Sequence, residues 1–192
     1  MAERVNLALD TCVENQGVEF MASQPWKILM WGIIKTACAM GNLRDGGIIV
    51  LGVSQSAEFW EPTGMKEVDL KTYDVDKIVD QVNAYVSPQA DLTIVTHEKE
   101  GKVFVIIHVA QFRDTPLVCK KDHGKDLIAG TVYIRPPGKP ESRKVLQANE
   151  MQELLELAVE IRTRRFLEGL ERLKLIPGST EAERFEQELE GL

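Results

Sequence analysis

An uninterrupted apolar run from Ile48 to Val53, preceded by Gly46-Gly47 and punctuated by Gly52, most constrains how this chain can fold. A strand with one wet face alternates apolar and polar residues, whereas a strand without alternation is buried on both faces. The run therefore predicts a strand central in its sheet. Before it, Ser23 reads as the cap of a helix with Pro25 in its first turn. In that helix Trp26, Leu29, Ile33, Ala37 and Met40 recur every three to four residues, the spacing of a core-facing stripe.

The rest of the chain yields further elements. A short helix ending before Gly17 fits residues 3–15, and Val18 to Met21 reads as a short strand. Asp74 and Asp76 suit the start of a second core helix, in which Val75, Ile78, Val79, Val82 and Val86 share a stripe until Ser87-Pro88 stops it. Leu92–Thr96 and Lys102–Val109 read as an antiparallel hairpin with its turn at Lys99-Glu100-Gly101. Leu117–Cys119 and Thr131–Ile134 offer two more strands around the loop KKDHGKDLIAG. From Asn149 a long helical pattern runs toward Pro177-Gly178. At roughly 25 residues it would span about 38 Å, more than a small domain needs to cover its sheet. Thr180 and Glu183 have the spacing of a capping box for a last helix with Phe185 and Leu189 on one side. The expected fold is α+β: a mixed, largely antiparallel sheet packed by two helices, with a long C-terminal helix. The expected division is a domain over residues 1–147 and a helical extension over 148–192 that serves oligomerisation.

Composition narrows the function. The 192 residues are 44% hydrophobic and 28% charged, ordinary for a globular protein. No apolar run approaches the roughly 18 residues of a membrane helix, and acids at the N-terminus argue against a signal peptide, so a cytoplasmic protein without a membrane partner is expected. Cys12, Cys38 and Cys119 are too few and too far apart for a disulfide framework or a zinc site. His97, His108 and His123 have no Cys, Asp or nucleophilic Ser at a telling spacing, which excludes a Ser-His-Asp hydrolase. Gly46-Gly47 lacks the pattern of a P-loop. The net charge of -7 opposes phosphate binding on average, but residues 113–144 carry 8 basic against 4 acidic side chains. One basic segment on an acidic protein can hold a phosphate backbone weakly and with strong salt dependence.

Several short motifs occur in a telling order. Glu14-Asn-Gln-Gly-Val-Glu19-Phe20 is followed by a helix, then Asn42-Leu-Arg-Asp-Gly46-Gly47, the apolar strand, Gly52-Val53 and finally Thr131-Val-Tyr-Ile-Arg135. This series resembles the Schlafen AlbA_2 domain, with its Glu-x4-Glu-Phe start, Asn-Thr-x-Gly-Gly turn, Gly-Val-x-Asp and late Tyr-x-Arg strand. The family binds nucleic acid, and some members cut RNA.

The resemblance implies that Glu14 and Glu19 are catalytic and hold a divalent metal, Mg²⁺ or Mn²⁺, together with a third acid. Two carboxylates about 6 Å apart repel by roughly 3 kcal/mol at an effective dielectric near 20, so they favour a cation or a proton between them. A hard ion on oxygen ligands activates water or steadies the leaving oxygen of a phosphodiester. Five residues apart is neither one strand face nor one helix face, so only the resemblance, with a bend at Gly17, brings the two together. At the third position the chain departs from the family: Ser54-Gln55 follows Gly52-Val53, leaving Glu58 or Glu61 to supply the missing carboxylate. Met21 also replaces the usual Lys after Glu-Phe. Arg135, Lys139, Arg143 and Lys144 are the expected phosphate contacts, bordered by Lys120, Lys121 and Lys125. The first function expected is a metal-dependent endoribonuclease acting on tRNA or other RNA, working as a homodimer. A non-catalytic DNA-binding or transcriptional regulator with the same basic groove is the second, and an acidic interaction scaffold is the third.

Overall fold

The computed structural model describes residues 2–56 and 59–175. Glu58 and the Thr180–Glu183 capping box, with Phe185 and Leu189, lie outside the described residues. In chain order the elements are α1 (Ala2–Thr11), β1 (Val18–Met21), α2 (Trp26–Gly41), β2 (Gly47–Leu51), β3 (Val53–Ser56), β4 (Phe59–Pro62), α3 (Glu67–Leu70), α4 (Val75–Tyr85), β5 (Val86–Ser87), β6 (Leu92–Lys99), β7 (Lys102–Val109), β8 (Val118–Cys119), β9 (Tyr133–Ile134), β10 (Arg143–Lys144) and α5 (Ala148–Arg172).

The main sheet has the order β1-β2-β7-β6. Only β1 and β2 are parallel, joined by the α2 crossover, and the other two pairings are antiparallel. The sheet is thus mixed and antiparallel-dominated, as expected. β2 is interior, and the reason for its unbroken apolar sequence is visible in its two faces. Ile49 and Leu51, with Val105, Ile107 and Val109 of β7, join the core under α2, α4 and the start of α5. Ile48 and Val50, with Phe104 and Ile106, face the opposite way and pack against Val5, Ala8 and Leu9 of α1. The helix near the N-terminus is therefore a third covering helix, on the face that the sequence pattern left without a partner.

Local chemistry explains most boundaries. Ser23 does not cap α2. Pro25 takes that position, and the Trp26 N–H donates instead to Thr72 Oγ1 at 2.9 Å. Ser23 Oγ donates to Asp69 Oδ2 at 2.7 Å and accepts the Lys66 N–H at 2.8 Å, which pins the short helix α3. Asp74 caps α4 by accepting the Lys77 N–H at 3.2 Å. The β6–β7 hairpin closes through Glu100 and Gly101, whose φ angles of 52° and 70° suit a two-residue turn matched to strand twist. Gly46, at φ 61°, passes so close to β7 that an added Cβ would lie 2.0 Å from the Val109 carbonyl oxygen. Gly46 is thus a requirement of sheet packing, while a Cβ on Gly47 would meet the Met40 side chain of α2.

One expectation is corrected. Residues 117–119 and 131–134 do not extend the main sheet: β8 pairs with β5, and β9 pairs with β10 in a separate ribbon. The side chain of Asn42 reaches across the chain to them. Its Nδ2 donates to the carbonyls of Leu117 and Tyr133, each at 2.9 Å, and its Oδ1 accepts the Leu117 N–H at 2.7 Å. One buried amide therefore fastens the late segments to the end of α2.

α5 is 25 residues long, and its first half is part of the body, with Leu154 and Ala158 buried. Beyond Arg172 the helix closes at Leu173, and Lys174 turns to φ 56°, ahead of Pro177. Replacing Asn42 by Ala strands three buried backbone groups, each penalised by about 1–3 kcal/mol when unpaired. The Asn42→Ala variant should lose about 3 kcal/mol of stability in denaturant unfolding, and an unchanged midpoint would exclude this role.

Candidate functional site

Glu14 and Glu19 meet at the start of β1. The Phe20 N–H donates to Glu14 Oε1 at 2.9 Å, which turns the Glu14 side chain back along the strand toward Glu19. Glu19 lies on the sheet face that carries Ile49 and Leu51. There it meets Arg135, whose Nη1 donates to Glu19 Oε2 at 2.6 Å. The Arg135 side chain is fully buried, and Glu19 is 20% exposed. Arg135 Nη2 donates to the carbonyls of Asn15 and Val18, at 3.1 and 3.3 Å, and Ser142 Oγ lies 3.4 Å from Nη1. Gln16 returns the contact by donating to the Arg135 carbonyl at 2.5 Å.

Burial pushes both carboxyls above their ordinary range. For Glu14 the neighbouring Glu19 charge adds to this, while the Phe20 N–H and Arg135 oppose it. For Glu19, Arg135 opposes it by charge and by hydrogen bond. The two acids do interact, as the resemblance implies. However, the Arg135 guanidinium already engages one of the two Glu19 carboxylate oxygens.

The remaining donors among the described residues do not complete a metal site. Ser54 Oγ is 2.9 Å from Thr63 Oγ1, and Glu61 stands opposite Ser54 across the β3–β4 hairpin, exposed. No group of three His, Cys, Asp or Glu side chains is arranged to hold a metal among the described residues. Among the described residues, then, the donors around Glu14 and Glu19 do not make up a three-acid set for a Mg²⁺ or Mn²⁺ ion, and Glu58 lies outside them.

A cleft of about 900 Å³ opens beside this cluster, between residues 14–17, the turn 42–46, the loop 134–140 and the start of α5. Its charged lining is Arg4, Arg44 and Arg135 against Glu14, Asp45, Glu150 and Glu153, so it is no cationic channel. Arg4 was not legible as a site residue. It sits on α1 and donates to the Gly17 and Gly46 carbonyls at 3.1 and 3.5 Å, tying the two glycine turns together.

The expected phosphate contacts divide into two groups. In the first, the Arg135 and Arg143 guanidiniums are both paired with carboxylates of the same chain. Arg143 bonds both carboxylate oxygens of Glu150, whose carboxyl is held down to about 2 by Arg143 and by the Leu146 and Gln147 N–H groups. That pairing anchors the start of α5. Lys120, Lys121, Lys139 and Lys144 are exposed and form no ion pair among the described residues.

Tyr133 links the segments that carry these lysines. Its hydroxyl donates to the Asp126 carbonyl and accepts the Ile128 N–H, each at 3.0 Å, while β9 pairs it with Lys144. Lys35 Nζ lies 5.7 Å from the Tyr133 ring centroid, and Lys121 Nζ lies 5.5 Å from that of Tyr85. Trp31 stacks on His123 at 3.4 Å between ring centroids and meets Tyr85 edge-on at 5.2 Å. Lysines and aromatic rings thus share one side of the molecule. Lys35 and Trp31, four residues apart on one helix face, were the available signal for it.

The profile of the Schlafen AlbA_2 family matches residues 14–141, from the first of these carboxylates to just beyond Arg135. The chain belongs to the Schlafen AlbA_2 family. Membership points to a nucleic-acid-related function. Among solved structures, this Schlafen AlbA_2 chain is similar to the DIP2311 protein from Corynebacterium diphtheriae, with 15% identity and a TM-score of 0.50 over 75% of its length. It spans only 26% of that protein. A second similar structure is the N-terminal domain of a putative ATP-dependent DNA helicase RecG-related protein from Nitrosomonas europaea. There the identity is 19% and the TM-score 0.49, over 77% of this chain and 95% of the other. No curated protein matches the chain. Among the described residues no helix is long and apolar enough to cross a membrane.

Two outcomes are expected of the acid cluster. Arg135→Met leaves Glu19 buried without its partner and should cost about 3–5 kcal/mol in denaturant unfolding. Adding Glu19→Met should recover part of that loss, and no recovery would show that the pair is not the reason for it. The pH dependence has a defined sign. Because both carboxyls titrate above the ordinary 4.5 in the folded state, folding takes up protons in that window. Their contribution to stability is full below 4.5 and is lost as pH rises through the raised values. Glu14→Gln, which keeps an acceptor for the Phe20 N–H, should flatten part of this fall in a thermal-unfolding series against pH.

Proposed function

We propose that this Schlafen AlbA_2 chain is a non-catalytic nucleic-acid-binding module. It holds single-stranded RNA or DNA by the phosphate backbone. The observation that carries the reading is the Glu19–Arg135 bond at 2.6 Å, with the guanidinium buried beneath it. A metal-dependent endoribonuclease needs carboxylates available to a cation, and here one of the two is neutralised from inside the fold. Ser54 and Gln55 at the usual third position support the same conclusion.

Recognition falls to the exposed lysines. Lys120, Lys121 and Lys144, with Lys35 beside them, supply cations that displace counterions from phosphates. Trp31, Tyr85 and His123 add a neighbouring aromatic surface of the kind on which unpaired bases stack. Lys139, in the turn after Arg135, adds a further cation near the cleft mouth. On a chain of net charge -7, binding through so few cations is weak and strongly salt-dependent.

The test measures binding and cutting together. End-labelled tRNA, single-stranded RNA and single-stranded DNA are incubated with the protein in Mn²⁺, Mg²⁺ or EDTA, and anisotropy is followed as salt is raised. Binding without cleavage is expected. Lys120→Glu/Lys121→Glu/Lys144→Glu should weaken binding and reduce the slope of log affinity against log salt by roughly two. Metal-dependent cleavage abolished by Glu14→Gln would overturn the non-catalytic reading in favour of the endoribonuclease. Failure of every nucleic acid to bind at low salt would leave the interaction scaffold.

A further inference from the structure

Helix α5 presents two apolar stripes, and the body of the protein covers only one. Leu154 and Ala158 are buried against the core. Leu155, Val159, Phe166 and Leu173 are exposed, with Val159 at 64% and Phe166 at 65% of their full surface. At 3.6 residues per turn these four fall within about 40° of one another, beside the buried stripe. Their spacings of four and seven residues are those of a helix–helix seam. Leu155 also borders a cleft of about 600 Å³ with Pro88, Pro116, Val118, Val132 and Met151, so the apolar surface continues onto the body.

The charges along α5 are polarised. Residues 148–160 carry Glu150, Glu153, Glu156 and Glu160 and no basic side chain. Residues 161–172 carry Arg162, Arg164, Arg165 and Arg172 against Glu168 and Glu171. Parallel pairing of two such helices would place acids on acids, whereas antiparallel pairing places each acidic half on a basic half.

We propose that α5 is a self-association surface on which two copies of this chain pack antiparallel along the stripe from Leu155 to Leu173. A symmetric register centred near Arg164 sets Leu155 against Leu173 of the second copy. It lays Arg162 over the ring of Phe166, a cation–π arrangement, and brings Glu156 opposite Arg172. At its Leu155 end the surface borders the cleft that Lys120 also lines, while Val159, Phe166 and Leu173 lie further along the helix, and the inference does not depend on the nucleic-acid reading.

The full chain is examined by sedimentation and light scattering across a wide range of concentration. Twice the mass of one chain is expected, with dissociation on dilution. Val159→Glu/Phe166→Glu should weaken association about tenfold or more, with the circular dichroism and unfolding midpoint of the diluted monomer unchanged because both side chains are exposed. Glu156→Arg alone should weaken it, and adding Arg172→Glu should restore it. A single-chain mass at every concentration would overturn the proposal, including the case in which residues 176–192 fold back over the stripe. A dimer indifferent to Val159 and Phe166 would overturn it as well. A charge swap that fails to restore association would overturn the antiparallel register.

Discussion

The fold hinges on one buried ion pair. Arg135 and Glu19 are 116 positions apart, and their bond joins the strand that begins the sheet to the ribbon that follows it. Desolvating two charges is costly, and a buried pair survives only when its remaining hydrogen-bonding capacity is also met. Arg135 meets most of that condition through the carbonyls of Asn15 and Val18, with its buried Nε left without a partner among the described residues, and Glu19 keeps some contact with solvent. The ribbon then passes the connection on. Arg143 at its far end grips Glu150, and Glu150 begins the helix whose Leu154 and Ala158 close the core. Charge pairing thus runs from the first strand to the last helix through a region that contributes few residues to the main sheet.

This use of charge separates the acidic average of the chain from its local behaviour. Most of the described arginines are spent on acids: Arg44 pairs with Glu160, Arg113 with Asp91 and Arg165 with Asp114. Lysines near the aromatic side remain in solvent. Arginine suits internal pairing because its planar fork holds several acceptors at once, while lysine keeps a compact, strongly hydrated charge. The residue types therefore divide structural cations from those available to an outside phosphate, a distinction that a count of basic residues cannot make.

Much of the architecture was legible because periodicity reports burial. The apolar strand, the α2 and α4 stripes and the β6–β7 hairpin all follow from spacing. What spacing could not give was the partner of each polar group. Ser23 has the right type and position for a helix cap, yet its hydroxyl is drawn to Asp69 and to the Lys66 N–H, residues brought close only by the fold. The β3–β4 hairpin escaped notice because Val53–Pro62 lacks a clear alternation and a glycine turn. The acid cluster was readable only through family likeness, since a five-residue spacing carries no geometric meaning by itself. The partners of Arg135 were hidden for a related reason: an arginine at a strand end gives no sign of which face it takes.

The hydrogen bonds around β1 have one more implication. The Ile48 N–H donates to the Gly17 carbonyl and the Gly52 N–H to that of Met21, so the odd-numbered carbonyls turn toward β2. Val18 and Phe20 must then direct their peptide groups outward, along the open margin of the sheet. Those are the groups that Arg135 and Glu14 engage. An unprotected margin is a template on which foreign strands add, and natural sheets blunt it with charge or cover. With the Phe20 N–H held by Glu14 and the Val18 carbonyl by Arg135, two of the outward groups on this four-residue border strand are already paired and are not offered to a foreign strand.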